Sequence, residues 1–232
     1  MSPTALPGWH GKLPALGDFA SRRLDSSFLD PWDAWLAEGM LALREQLADD
    51  WLDAYLASPS WRFLLMPGAL PGEPGLQAWA GVLMPSVDRV GRYFPFTLVQ
   101  PLGEGLVSIP QMPLLWRWLG RLDDLAADAL HEDWDIERLE DELARLEDPD
   151  LQALAIPACD APAEGVLAFC GLPPGLDAAG WIGMEADALW RVQSIGMAYW
   201  TASAEQQAPR MLRSGGLPAP SAMHQLFGGP ST

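Results

Sequence analysis

The stretch Trp79–Leu102, WAGVLMPSVDRVGRYFPFTLVQPL, decides the fold. An apolar run stops at a charged Asp-Arg-Val-Gly turn and a second apolar run returns, the pattern of a buried β-hairpin. Gly91 supplies the positive φ that such a tip demands. Charge is confined to Asp88, Arg89 and Arg92, while everything around them favours burial. Two readings stay open: an ion-paired structural corner, or a tip that presents its charges to something else. Pro95 has no N–H for a sheet ladder, so the returning strand is expected at an edge or with a bulge.

Working outward, Gly8–Phe19 mixes Gly, Pro and aromatics and reads as a short strand entering a tight loop. Asp30 as N-cap and Pro31 at the first helical position open a predicted helix to Leu47, with Trp32, Trp35, Leu36, Met40, Leu43 and Leu47 as its apolar stripe. A shorter helix over Trp51–Ala57 ends at Ser58-Pro59, and Trp61–Met66 reads as a buried strand. Beyond the hairpin, Pro113–Leu130 places Leu115, Trp118, Leu119, Leu122 and Leu125 on one face. Trp116 and Trp118 cannot share that face, so one of them is expected outside the core. Asp135–Leu146 is a strongly acidic amphipathic helix, its charged side read as solvated. Val166–Cys170, Met197–Ala202 and Met211–Arg213 are strand candidates, and one helical turn is expected near Ala186–Trp190.

With 232 residues, 49% of them hydrophobic, the chain can build a real core, and the 22 Gly with 22 Pro imply short elements and many turns. The expected class is α/β: a central, mostly antiparallel sheet flanked by helices in a single compact domain over 1–232. Within it a core of 8–102 precedes a helical middle, 103–150, and C-terminal strands and short helices, 151–232. No apolar run reaches about 20 residues and the N-terminus lacks a secretory pattern, so a cytoplasmic location is expected. A net charge of -17 argues against nucleic acid, which requires clustered cations, and favours a basic partner. Cys159 and Cys170 are too few for a disulfide framework and lack metal-ligand spacing.

Enzyme signatures fail in turn. Gly8-Trp9-His10-Gly11-Lys12 lacks the spacing of a phosphate loop and is followed by Leu13 where Ser or Thr is needed. There is no Gly-x-Ser-x-Gly elbow, and His10, His131 and His224 are scattered. Two polar clusters remain: Gly17-Asp18-Phe19 with Ser21, Arg22 and Arg23, and Ser86, Asp88, Arg89, Arg92 and Tyr93. Asp–Arg pairs commonly tie loops together, and arginine forks also recognise carboxylate or phosphate. No cofactor or metal is expected.

Four blocks in order, GWHGKLPALGDFASRRL (8–24), FLDPWDAWL (28–36), WLDAYLASPSWRFLLMPG (51–68) and WAGVLMPSVDRVGRYFPFTL (79–98), resemble the TagF family of bacterial type VI secretion accessory proteins. Tyr199-Trp200-Thr201 and Gly216-Leu217-Pro218 are similar to its closing motifs. The resemblance implies a regulator that represses assembly or firing of the apparatus after translation. It implies a protein partner, the forkhead-associated scaffold Fha, and no catalytic residues. Some relatives carry a fused phosphatase domain; this chain resembles the stand-alone form. The resulting expectation is a non-enzymatic binding protein whose candidate partner-binding residues are Asp18, Arg22, Arg23, Asp88, Arg89, Arg92 and Tyr93. The alternatives are an enzyme using the Asp88/Arg92 cluster, or a structural accessory subunit.

Overall fold

The computed structural model describes residues 6–103, 107–149, 151, 164, 177–202 and 210–228. Its strands are β1 (Gly8–Gly11), β2 (Ala20–Arg22), β3 (Trp61–Leu65), β4 (Ala78–Met84), β5 (Phe96–Leu102), β6 (Met197–Ala202) and β7 (Arg210–Gly215). Every neighbouring pair is antiparallel, in the order β2-β1-β5-β4-β3-β6-β7, so strands from both ends of the chain share one sheet. The long helices are α1 (Ser26–Leu47), α3 (Met112–His131) and α5 (Ala178–Gln193); α2 (Trp51–Leu56), α4 (Ile136–Arg145) and α6 (His224–Phe227) are shorter.

Alternation along the strands divides the core in two. On β4, Trp79 and Leu83 face one way, towards α1, α2 and α6, and Ala78, Ala80, Val82 and Met84 face the other, towards α3 and α4. Because both faces are covered, β4 is apolar throughout and buried at every position. The first face is aromatic: Phe28 stacks on Trp32, whose indole packs on Phe63, which in turn meets Trp200. The second is aliphatic around Leu115, Trp118, Leu119 and Leu122. Gly81 sits at the centre, where a Cβ would fall 2.3 Å from the Leu98 carbonyl oxygen and 2.6 Å from the Phe63 ring.

Several expectations are corrected. α1 begins five residues before Pro31: Asp25 is its N-cap, and its carbonyl takes the N–H groups of Phe28 and Leu29. Pro31 lies inside the helix, where its missing N–H removes the donor that would otherwise bond the carbonyl of Ser27, an exposed residue. β5 is an inner strand, not an edge, because Pro95 precedes its first residue. Pro101 lies within β5, but β1 pairs with β5 only as far as Val99, so no ladder bond is lost there. The single turn expected near Ala186 is a 16-residue helix. Of the two tryptophans on α3, Trp118 is buried and Trp116 half-buried. The strand expected over 166–170 and both cysteines lie outside the described residues.

Candidate functional site

The hairpin between β4 and β5 does not close in a tight turn. It opens into an eleven-residue excursion, 85–95, pinched by a bridge between Val87 and Tyr93. Inside it Asp88 accepts four hydrogen bonds. The backbone N–H groups of Val90 and Arg92 donate to its Oδ1 at 3.0 and 2.9 Å. Lys12 Nζ and Arg92 Nε each donate to Oδ2 at 2.7 Å. Lys12 is the chain's only lysine and is 2% exposed, held over the Phe19 ring at 4.0 Å.

Burial alone would raise the Asp88 carboxyl, but the Lys12 ammonium, the Arg92 and Val90 amides and the Arg92 guanidinium outweigh it and hold it well below the usual carboxylate range. It is an ionised anchor. With both oxygens filled, it has no lone pair left for a substrate proton, so the arrangement braces and does not perform general-base chemistry.

The brace ties two loops together. Arg92 reaches the Gly17 carbonyl and lies 3.7 Å from Asp18, and the Arg89 amide donates to the Leu16 carbonyl at 3.1 Å. Below it, Ser86 Oγ donates to the Lys12 carbonyl, and the Tyr55 hydroxyl both accepts from the Ser86 amide and donates to its carbonyl. Burial pushes the Tyr55 phenol up, so it stays a neutral donor. What the brace holds outward is a mixed patch: Phe19 is 46% and Val90 66% exposed, beside Asp18, Arg89 and Arg92. Phe19 is propped edge-on against Phe94, 4.9 Å between ring centres, and stacks over His10, whose Nε2 lies 3.0 Å from Asp33.

Of the residues singled out in the sequence, Asp18, Asp88, Arg89 and Arg92 thus meet at one corner. Tyr93 turns inward onto Trp51 and Tyr55. Arg22 and Arg23 are elsewhere: Arg22 sits on β2 opposite Trp9, and Arg23 binds the Pro7 carbonyl and pairs with Glu140 of α4. Glu140 also accepts from Trp9 Nε1 at 2.7 Å; burial opposes its ionised form, but the Arg23 and Trp9 bonds prevail and lower its pKa. Lys12, Tyr55 and Val90 belong to this corner and were left out by sequence reasoning, which had Phe19 only as a neighbour of Asp18. The one available signal was a lone lysine set between Gly11 and Leu13 in an otherwise apolar run.

Among the described residues no group of His, Cys, Asp and Glu is placed to hold a metal, and no helix is long and apolar enough to cross a membrane. No protein of curated function matches the chain. The crystal structure of PA0076 from Pseudomonas aeruginosa PAO1 is similar over 97% of this chain and 96% of that one, at 33% identity and a TM-score of 0.73. Residues 8–146, from β1 to the end of α4, match the TagF N-terminal domain, described as type VI secretion system-associated. The chain belongs to the TagF family.

Proposed function

We propose that this protein represses assembly or firing of a type VI secretion system by stoichiometric binding, making and breaking no bond. Its partner in this reading is the forkhead-associated scaffold Fha. The observation that carries the link to secretion is the family match over residues 8–146. The contact surface rests on the corner geometry. A half-exposed aromatic and an exposed valine beside two arginines, on loops fixed from beneath by a buried ion pair, supply an anchor whose conformational entropy is already spent. Within that surface Phe19, Val90 and Arg89 touch the partner, Arg92 and Asp18 form its rim, and Asp88 with Lys12 set its shape. Arg22 and Arg23 lie off it.

Deleting the gene in a strain with an active apparatus is the first test. A repressor's loss raises effector export, a structural subunit's loss abolishes it, and unchanged export overturns both. The surface is tested with purified chain and purified Fha. The Phe19→Ala/Arg89→Ala pair should weaken binding about tenfold or more, whereas Arg22→Ala/Arg23→Ala should bind as wild type. Arg92 is a poor probe because its loss also loosens the brace. Equal binding by the first pair and wild type removes this surface.

A further inference from the structure

α5 is built inside out. The residues it turns inward include Asp187 and Arg191, followed by Ser194 at its C-cap: Asp187 accepts from the Ile109 amide at 2.6 Å and from Arg191 Nε at 2.9 Å, and Ser194 Oγ meets the Tyr199 hydroxyl at 3.1 Å. Its outward stripe is Ile182, Ala186, Leu189 and Val192, with the three large side chains 64, 65 and 68% exposed. Glu185 is the one charged residue among the exposed positions of α5. A solvated helix carries the reverse pattern, and a face of this kind marks an interface.

The sheet ends beside it. Tyr199 of β6 touches Trp190 of α5 and Ser194 at its C-cap, and on the next strand Arg213 lies opposite Tyr199. Among the described residues β7 is the outermost strand on this side. The two edges of the sheet differ. β2 has three residues and runs into Arg23 in the left-handed region, whereas β7 has six, with no proline. Short or interrupted edges resist pairing; a six-residue regular edge invites it.

We infer that β7 pairs antiparallel with β7 of a second copy of this chain, continuing the sheet across a two-fold axis and bringing the two α5 outer faces together. Charge argues for this occupant and excludes the registers that oppose arginines. The only charges on β7 are Arg210 and Arg213. A two-fold centred on Leu212 sets Met211 against the partner's Arg213 and Arg210 against the partner's Ser214, so no like charges oppose. Centring on Arg213 would place that arginine against itself. Between copies that each carry -17, approach is favourable where carboxylates are few: β7 has none, and the outer face of α5 carries one, Glu185. The spacing also fits. β6 and its symmetry mate stand three strand intervals apart, about 14 Å. Helices lying over them, each ~10–12 Å across with side chains, would meet through their outward residues.

The full chain, in sedimentation equilibrium across the micromolar range, tests this. Wild type is expected to be a dimer, and Leu189→Glu/Val192→Glu a monomer with unchanged circular dichroism. Met211 fixes the register. Met211→Glu places a carboxylate against the partner's Arg213 and should tighten the dimer about three- to tenfold; Met211→Lys should weaken it by a similar factor. General repulsion between acidic copies predicts the reverse order, since Glu adds to the net charge and Lys reduces it. A wild type that stays monomeric overturns the proposal and leaves the face to another part of the chain or another protein. So do Met211 variants that shift in the same direction.

Discussion

α3 and α5 lie on the same side of one sheet and solve opposite problems. α3 buries Leu115, Trp118, Leu119, Leu122, Ala126 and Ala129 and turns its arginines and most of its aspartates to water. Its one buried carboxylate, Asp123, is met by Arg62 of β3 at 2.8 Å. α5 turns ions inward and aliphatic side chains outward. Burial of an apolar stripe is what holds α3 in place. α5 is tethered by the bond from the Ile109 amide to Asp187, by the Ser194–Tyr199 contact just past its end and by Trp190 on the aliphatic core, while Arg191 braces Asp187 within the helix. The polar bonds specify its position more than they stabilise it. The difference separates a helix that completes a core from one whose apolar surface is still to be covered.

The sharpest way to break this contrast is truncation on α3. Trp118 is 1% exposed at the centre of the aliphatic face. Trp118→Ala should cost about 3–5 kcal/mol in denaturant unfolding, from lost transfer energy and the cavity left behind. A loss below about 1 kcal/mol would mean that the α3 face relaxes freely, and α3 and α5 would then be alike.

Acid should act next, and through groups associated with α4 and the hairpin corner. Glu132 accepts from Trp134 and Arg138, Glu140 from Arg23 and Trp9, and Asp88 from its four donors; each has its pKa lowered in the folded chain. A depressed folded pKa contributes stability that is complete above the unfolded value. It is lost as pH falls from about 5 towards the folded values. The denaturation midpoint should therefore hold steady from neutral pH to about 5 and fall below it. Replacing Glu140 with Gln should flatten part of that slope, since the amide still accepts from Trp9 but no longer titrates. An acid limb unchanged by Glu140→Gln would show that the α4 brace carries none of the dependence.

What was legible in the sequence follows the same division. The hairpin, α3, α4 and β6 all carry a strong period or a local signal. α4, for instance, buries Leu139 and Leu143 of its apolar series. The corner was half legible. Asp18 was visible in one charge cluster and Asp88 with Arg92 in another, but Lys12 joins Asp88 across 76 residues of chain, and no local pattern announces a partner so distant. Arg22 and Arg23 were adjacent to that cluster in sequence only; β2 carries them along the strand, away from the corner and towards Glu140. The start of α1 was misplaced because Asp25 and Asp30 both suit an N-cap, and a proline five residues into a helix looks like its beginning. α5 was read as one turn because Gly180 and Gly183 weaken its start and its apolar residues do not mark a buried face.

The smallest expected effect is the most telling. Leucine 122 of α3 and leucine 189 of α5 are the same side chain on two helices over the same sheet face, fully buried in one and 65% exposed in the other. Leu189→Gln, measured by denaturation at a concentration low enough to keep the chain monomeric, should change stability by no more than about 0.5 kcal/mol. At high concentration the same substitution should lower the apparent stability of wild-type-like samples, because any assembly that covers Leu189 stabilises the fold by mass action. A concentration-independent loss of 2 kcal/mol or so, the size expected for a core leucine, would place Leu189 in the fold itself. The inside-out reading of α5 would then be wrong, and the polar residues beneath it would be incidental to a helix packed like α3.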